Sequence, residues 1–313
     1  MTTVALFGDS DIGRVRRINE DSYCLIPERE TMVVCDGMGG HAAGEVASQR
    51  AVETVAAYLM RVGEFERPPS PLAAGESPLP REAEDLVWAV RLANRRVFQT
   101  AQSQKHTRGM GTTLVAARFV PGRAVICHVG DSRAYLFRNG KLEPITVDHS
   151  LVAELLAQNE ITAEQARTFP DRNIITRALG TRPVVSVDVT VMPVAQGDWY
   201  LLCSDGLCGA IEDDEIATVV RHHAGNPTSA IDALIEAANA AGGHDNITVA
   251  IAEVRDAAGS VAAASDSMTV PETDESTNNI EETLIDRLFD GSESMSEYVE
   301  ADTDKIPIYR PPQ

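Results

Sequence analysis

The sequence predicts an α+β fold in which helices cover antiparallel sheets. Short β-branched runs bounded by turn residues recur along the chain, which is typical of strands. Asn139-Gly140 joins two such runs and favours a tight hairpin, because both residues tolerate the positive φ of the turn. Long helical patterns interrupt the strands, with apolar residues every three to four positions. The strand candidates include residues 4–8, 23–26, 31–35, 112–118, 124–129, 134–138, 184–192, 199–203 and 248–254.

Two pairs of helices are expected, and a third region is irregular. The helices are expected at residues 45–60, 82–102, 213–222 and 228–240. A proline-rich stretch, 67–80, separates the first pair, because proline lacks the N–H that would continue a helix. Segment 148–182 has helix-like pieces at 151–158 and 163–167 and little strand character, so we expect it to lie over the domain as a flap.

The composition changes after residue 254. Residues 257–313 contain 13 acidic and 3 basic side chains, a net charge of −10, which is half of the −20 carried by the whole chain. We therefore predict a folded domain over 1–254 and an acidic, Ser/Thr-rich and largely disordered tail over 255–313. An apolar patch at 283–289 could form one or two helical turns and dock a partner. A solvated extension is the alternative.

Charge and composition exclude several classes of protein. A net charge of −20 argues against a nucleic-acid binder, which needs a basic surface to neutralise phosphates. No apolar stretch is long enough to span a bilayer, and the N-terminal residues lack the basic and apolar regions of a signal peptide. The five cysteines form no CxxC pair, which fits a reducing compartment. These observations predict a cytoplasmic protein with neither nucleic-acid nor membrane partners.

Five short segments place an aspartate beside Gly, Asn or Ser, and most of them follow a β-rich apolar run. Several such carboxylates converge only around positive charge, because like charges repel at close range. Divalent cations that prefer oxygen ligands are the natural candidates. The sequence therefore predicts a magnesium or manganese site that performs hydrolysis. The segments are Asn19-Glu20-Asp21, Asp36-Gly37-Met38-Gly39-Gly40, Gly130-Asp131-Ser132-Arg133, Ser204-Asp205-Gly206 and His244-Asp245-Asn246.

Together these segments resemble the PPM family of metal-dependent serine/threonine protein phosphatases, the protein phosphatase 2C type, and its bacterial branch in particular. The matching stretches include RRINEDS from residue 16, VCDGMGGHAAGEVA from residue 34, HVGDSRAY from residue 128, LCSDGL from residue 202 and GHDNITV from residue 243. They occur in the family's order over residues 4–254. The resemblance implies an antiparallel β-sandwich flanked by pairs of helices, in αββα layers. It also implies hydrolysis of phosphoserine and phosphothreonine on protein substrates, opposing a bacterial serine/threonine kinase.

The resemblance implies a role for each site residue. The residues implied to hold two Mn²⁺ or Mg²⁺ ions are Glu20, Asp21, Asp36, Gly37, Asp205 and Asp245. Asp36 would bridge the ions and Gly37 would offer its carbonyl oxygen. Arg16 would bind the substrate phosphate, because its planar fork donates two hydrogen bonds at once. Arg16, Asp36 and Asp205 are thus the expected catalytic residues, around a water molecule whose pKa the metals lower.

The chain departs from the family pattern at two positions. Many members carry an aspartate for a third metal where this chain has Arg108, so a third site is doubtful. In animal relatives a histidine follows the Asp-Gly pair, but here Met38 does, and His41 is either the leaving-group acid or part of a helix N-terminus. The matching residues that we assign to loop geometry are Asp131, His149 and His244.

One rival interpretation remains open, and a second is rejected. The first is a catalytically weakened phosphatase fold used as a binding or sensing module; Arg108 favours it, and the intact core metal positions argue against it. The second is a cysteine-dependent phosphatase, because Cys127 and Arg133 have the C-x5-R spacing of that class. Asp131 would then repel the phosphate inside the binding loop, and Cys127 belongs to the strand predicted at 124–129.

Overall fold

The computed structural model forms two antiparallel β-sheets, packed face to face between layers of helices. It describes residues 2–39, 43–66, 68–72, 79–103, 105–167, 169–170, 173–257, 265–272 and 275–289. The strands are β1 (Thr2–Asp11), β2 (Asp21–Ile26), β3 (Thr31–Met38), β4 (Gly111–Thr112), β5 (Leu114–Val120), β6 (Arg123–Val129), β7 (Arg133–Arg138), β8 (Lys141–Pro144), β9 (Val187–Pro193), β10 (Trp199–Cys203), β11 (Ile247–Ala257) and β12 (Asp266–Val270). The helices are α1 (Ala43–Arg61), α2 (Arg81–Ser103), α3 (Leu151–Ala157), α4 (Ala163–Arg167), α5 (Asp205–Cys208), α6 (Asp213–His222), α7 (Pro227–Ala240) and α8 (Glu275–Leu288).

The two sheets share one apolar core. The first sheet has the strand order β1-β11-β10-β7-β8. The second follows the path β12-β9-β6-β5-β3-β2, with β4 paired to β3. Side chains alternate between the faces of a strand, and those that face the other sheet form a buried cluster with members from both. Phe119 and Tyr200 meet there edge to face, with ring centroids 5.1 Å apart.

Helices cover the outer face of each sheet. The buried stripes of α1 and α2, including Val52 and Leu86, pack on the second sheet. Those of α6 and α7, including Ile216 and Leu234, pack on the first. One apolar face per helix is what such packing requires, and the α+β prediction with αββα layers is confirmed. Within the described part of the chain, no helix is both long and apolar enough to cross a membrane.

The strand predictions hold with one interruption near the site. Asn139 and Gly140 have φ values of 54° and 77°, and they close the predicted hairpin between β7 and β8. The strand predicted at 112–118 is divided in two at Thr113. The Thr113 N–H donates to the Asp36 carbonyl oxygen at 2.8 Å, and its hydroxyl lies 2.6 Å from that of Ser132. Thr113 therefore connects the Asp36 and Ser132 segments instead of continuing a ladder.

The segment predicted as a flap is anchored at both ends. Near its start, the His149 N–H donates to the Gly130 carbonyl oxygen at 2.9 Å, and near its end, Leu179 bridges to Thr112. Between these anchors, α3 has no buried residue, although the Ser150 hydroxyl caps its first turn at 3.3 Å from Ala153 N. The base of the segment is therefore tied to the sheets while its described middle part carries little core.

Part of the predicted disordered tail is ordered in the structure. Strand β12 pairs with β9 and extends the second sheet. Helix α8 packs on α2, with Leu284, Ile285 and Leu288 buried. Arg95 forms an ion pair with Glu282, and the Arg96 guanidinium lies 3.6 Å from the centre of the Phe289 ring. Residues 290–313 lie outside the described residues.

The acidic composition led to the prediction of disorder where β12 and α8 are formed, and two physical reasons explain the difference. Strand pairing is made by backbone hydrogen bonds, which an acidic composition does not prevent at the open edge of β9. A short apolar stripe suffices for α8, because α2 offers a surface to bury it. The apolar residues of the patch at 283–289, for which partner docking and a solvated extension were the two alternatives, are therefore covered within the chain itself.

Candidate metal centre

The acidic residues singled out by the sequence lie where ends of the two sheets meet. Asp21 and Asp36 stand directly opposite each other in the antiparallel pair β2–β3. Asp205 begins α5 at the end of β10, and Asp245 lies in the loop that leads into β11. Because β10 and β11 are neighbours in the first sheet, each sheet brings two of the four aspartates to this edge.

Asp21 joins the two sheets through hydrogen bonds. Its side chain accepts from the hydroxyls of Ser204 and Thr248, both at 2.7 Å. Burial raises the pKa of Asp21 to about 8; the two hydroxyls act against this rise, and the charges of Asp205 and Asp245 add to it. In the absence of a cation, Asp21 is therefore protonated at neutral pH.

The pKa values of Asp36 and Asp205 are also raised without a cation. Burial and the neighbouring charges of Asp21 and Asp205 raise the pKa of Asp36 well above its ordinary value. Burial and Asp245 raise the pKa of Asp205, while a side-chain hydrogen bond with Asp36 acts in the opposite direction. Carboxyl groups this close must share protons or bind cations, because they cannot all ionise alone.

The backbone around Asp36 is held by two threonines and the Glu20 segment. The Asp36 N–H donates to the Thr113 hydroxyl at 3.0 Å, and the Thr112 hydroxyl donates to the Asp36 carbonyl oxygen at 2.8 Å. The Gly37 N–H donates to the Glu20 carbonyl oxygen at 3.1 Å. These bonds fix the two acidic segments relative to each other before any ligand binds.

Two carboxylate oxygens in the cluster are buried without a hydrogen-bond partner among the described residues. They are Oε1 of Glu20 and Oδ1 of Asp131. Burial, and then the charge of Asp205, raises the pKa of Asp131 to about 7. Unpartnered buried acceptors are costly, and an oxygen-preferring divalent cation would satisfy them. The donor set therefore fits Mg²⁺ or Mn²⁺.

Arg16 lies on the exposed side of the cluster. Its guanidinium donates to Oδ2 of Asp245 at 2.7 Å and lies 3.7 Å from Oε2 of Glu20. Burial tends to lower the pKa of Arg16, but the pairing with Asp245 and Glu20 outweighs it and raises the pKa. About 45% of the side chain is exposed, so a phosphate could approach it from solvent.

The structure brings the seven residues predicted for the site into one region and adds an eighth. The seven are Arg16, Glu20, Asp21, Asp36, Gly37, Asp205 and Asp245. Asp131 was assigned to turn geometry, yet it contributes charge to the cluster at Asp36. The sequence did contain a signal for this role, since Asp131 belongs to one of the five acidic segments. Arg108, by contrast, is exposed in the turn before β4.

The histidines fall into two groups. His149 supports loop geometry as predicted: its Nδ1 accepts from the Gly130 N–H at 3.0 Å, and its Nε2 bonds to Asp188 at 3.0 Å. It thereby holds the turn that carries Asp131. His41, considered as a leaving-group acid, lies outside the described residues.

Without metal, the protein is expected to become less stable as the pH rises from about 5 to about 8. The folded state keeps a proton on Asp21, whose pKa is about 8, while the unfolded chain has released it above about pH 4. The free energy of unfolding then falls by about 1.4 kcal/mol per pH unit for each such proton. Urea unfolding in the presence of a chelator, at pH 5, 6.5 and 8, measures this slope.

The control for this slope is Asp21→Asn, which removes one titrating group and should make the slope shallower by about 1.4 kcal/mol per pH unit. Saturating Mn²⁺ should stabilise the wild type more at pH 8 than at pH 5, because the ion competes with protons for the carboxylates. A metal-free protein whose stability increases with pH over this window would contradict the assignment.

Comparison with known proteins finds a matching family model and related phosphatase sequences. Residues 16–245 match the family model described as "Protein phosphatase 2C". The chain is 39% identical to the serine/threonine phosphatase stp of Listeria welshimeri over 251 residues, which cover 78% of this chain and 93% of the relative. It is 38% identical to the serine/threonine protein phosphatase PstP of Mycobacterium tuberculosis over 275 residues, covering 84% of this chain and 49% of the relative.

Solved structures agree with the sequence relatives. The crystal structure of the M. tuberculosis serine/threonine phosphatase PstP/Ppp superposes with a TM-score of 0.69 at 36% identity, covering 82% of this chain and all of that one. The catalytic domain of PstP in complex with two manganese ions superposes with a TM-score of 0.68, also at 36% identity, over the same share of both chains.

Proposed function

The chain belongs to the protein phosphatase 2C family and is a metal-dependent serine/threonine protein phosphatase, and from this premise we propose that the acidic cluster is its catalytic centre. The observation that supports this most directly is the convergence of Asp21, Asp36, Asp205 and Asp245 with buried carboxylate oxygens that lack a donor. Such a set has no use in packing and a clear use in binding two cations. A pure binding module would not need it.

We propose the following roles for the metal-binding residues. Asp36 would be a ligand shared by the two ions, and the Gly37 carbonyl oxygen, Asp205 and Asp245 would complete the core ligands. Glu20 and Asp21 would hold the second ion directly or through water. When bound, the ions activate a water molecule for attack on phosphorus and neutralise charge on the phosphoryl oxygens.

Arg16 is the proposed phosphate-binding residue. Its guanidinium pairs with Asp245 and Glu20 in the structure, and both of these carboxylates would be neutralised by bound cations. Arg16 then loses little by turning its planar fork to the substrate phosphate. The open position of Arg16 allows this exchange without movement of the backbone.

A third ion is proposed beside Asp205. Arg108 made a third site doubtful on sequence alone. Asp131 supplies a different ligand: it is buried, close enough to Asp205 to raise its own pKa, and has an oxygen without a partner among the described residues. The site would therefore depend on Asp131 and Asp205 and not on the position of Arg108.

The proposed substrates are phosphoserine and phosphothreonine residues of proteins, phosphorylated by a serine/threonine kinase of the same cell. We also propose a cytoplasmic location. All five cysteines are thiols, and four of them are buried, as expected for a chain that folds in a reducing compartment.

Release of phosphate from a phosphothreonine peptide is expected to require Mn²⁺ or Mg²⁺ and to stop in excess chelator. Cys127→Ser should leave turnover within about twofold of the wild type. Cys127 is fully buried in β6, and burial raises the pKa of its thiol far above neutrality, so it cannot serve as a nucleophile. The assay measures free phosphate over time at several Mn²⁺ concentrations.

Two results would oppose the proposal. Turnover that persists in chelator would exclude a metal-activated water. Turnover that Cys127→Ser abolishes, while the variant remains folded by circular dichroism, would support cysteine chemistry instead.

A further inference from the structure

We propose that exposed apolar side chains on two sides of the metal centre dock the substrate segment that carries the phosphoresidue, and that preferred substrates have large apolar residues two positions before and after it. This inference rests on the proposed function, whose site it extends to a substrate class. The occupant is an extended phosphopeptide segment whose apolar neighbours contact the protein while the phosphate reaches the metals.

The distribution of exposed apolar side chains supports this surface. Large apolar residues are seldom grouped on the surface of a soluble protein without a binding role. Among the described residues, the large hydrophobic side chains that are exposed are Ile12, Val15, Ile18, Val147 and Ile174. All of them belong to two segments, the loop 12–18 and the base of the flap, and both segments adjoin the metal centre.

The loop 12–18 borders the Asp245 side of the centre. The Arg14 N–H donates to the Gly243 carbonyl oxygen at 2.7 Å, and the Asn246 amide donates to the carbonyl oxygens of Ile12 and Ile18, both at 3.0 Å. The loop is thus fixed to the segment that carries Asp245. Its apolar side chains remain exposed, with Val15 at 60%, although the backbone is held.

The flap base borders the Asp131 side. Val147 directly precedes Asp148, which accepts two hydrogen bonds from Arg133, at 2.8 and 2.7 Å, at the end of the Asp131 turn. The Val147 carbonyl oxygen is held by His128 Nε2 at 2.9 Å. Its side chain is 72% exposed. The backbone is therefore fixed while the side chain faces solvent.

The opposite placement of the two segments determines what fits between them. Strand β10 lies between β11 and β7 in the first sheet, so Asp205, which follows β10, lies between Asp245, which precedes β11, and Asp131, which precedes β7. An extended segment that crosses Asp205 would meet Val15 on one side and Val147 on the other. Successive side chains of such a segment point to opposite faces, so the side chains on the face of the phosphoresidue are two positions before and after it, each about 6.6 Å along the segment, and these are the ones that reach the valines.

Charge favours a peptide over other occupants. The loop carries Arg14 and Arg17 beside Arg16, although the chain as a whole has a net charge of −20. The side chains of Arg14 and Arg17 are exposed, and no ion pair joins them to another described residue. A phosphopeptide is anionic and complements this local positive charge. Two copies of the whole chain, each with a net charge of −20, would repel each other.

The test compares substrates that differ only two positions before and after the phosphoresidue. Two phosphothreonine peptides are used, one with Leu and one with Gly at both of these positions, together with p-nitrophenyl phosphate, which has no peptide neighbours. The wild type is expected to have a roughly tenfold higher kcat/KM on the Leu peptide, from burial of two apolar side chains. The double variant Val15→Ser, Val147→Ser should lose that preference and keep the wild-type rate on p-nitrophenyl phosphate.

Two arginine variants test whether the positive charge of the loop contributes to docking. Arg17→Ser should raise the KM of both peptides by about threefold without changing the rate on p-nitrophenyl phosphate. Arg123→Ser, which removes another exposed arginine from the start of β6, should change neither KM nor the rate on p-nitrophenyl phosphate. Equal effects of the two arginine variants would show that the charge of the loop has no special part in docking.

Several results would overturn the inference, and they differ from failure of the proposed function. Absence of turnover on every substrate would refute the phosphatase centre itself. Turnover without a preference in the wild type, or a preference that survives in the double variant, would refute the docking surface alone. A dimer that forms at micromolar concentration and is lost in the double variant would assign the surface to a second copy of the chain.

Discussion

Asp36→Asn is expected to lower kcat for a phosphothreonine peptide by about a thousandfold or more, a loss of about 4 kcal/mol of transition-state stabilisation. Asp36 stands opposite Asp21 and shares a hydrogen bond with Asp205, so one side chain can reach both ions. An amide keeps the shape of the carboxylate but removes the charge that holds two cations together. The loss should therefore appear in kcat and in metal affinity at once.

The readouts for Asp36→Asn separate loss of catalysis from loss of folding. Metal-free Asp36→Asn should be at least as stable as the metal-free wild type, because it removes a buried acid from a cluster of like charges. Its stability should no longer rise with Mn²⁺. Asp214→Asn, at an exposed position of α6, is the matched control and should keep full activity. Turnover of the Asp36 variant within tenfold of the wild type would contradict the bridging role.

Gly37→Ala is expected to destabilise the protein by about 3–5 kcal/mol, the size of a severe packing defect. A Cβ at this position would lie 2.5 Å from the Glu20 carbonyl oxygen and closer still to the carbonyl oxygen of Gly44. Both atoms belong to the backbone, so no side-chain rotation relieves the overlap. The start of α1 and the Glu20 segment would have to separate, which would also displace the Gly37 carbonyl oxygen proposed as a ligand.

Urea unfolding with and without Mn²⁺ measures the effect of Gly37→Ala. The matched control is Gly63→Ala, since a Cβ there would meet no atom within 4 Å, and it should change stability by less than about 1 kcal/mol. If Gly37→Ala behaved like Gly63→Ala, the close approach between α1 and the Glu20 segment would play no part in the site.

Local patterns predicted much of the fold and of the site. The Asn139-Gly140 turn, the alternating strands and the helical stripes each act over a few residues, so the sequence contains their cause. The site residues could be predicted because they occur as ordered Asp–Gly segments at strand ends. Their partners could not, because the bonds from Ser204 and Thr248 to Asp21 depend on how the two sheets meet.

The predictions that failed also share a cause, because each depended on tertiary contacts. Asp131 differs from an ordinary turn aspartate only through burial beside Asp205, and burial is not visible in a Gly-Asp-Ser triplet. Strand β12 exists because β9 offers an open edge, and α8 because α2 offers a surface. Neither neighbour can be inferred from the composition of residues 255–313.

Counting bound Mn²⁺ while following phosphate release tests the central claim most directly. The metal-free protein is titrated with Mn²⁺, and bound ions per chain and turnover of a phosphothreonine peptide are measured on the same samples. The two-metal account predicts at least two ions per chain, with turnover that appears only as the second site fills. Turnover in the metal-free protein, or full turnover with a single bound ion, would contradict it.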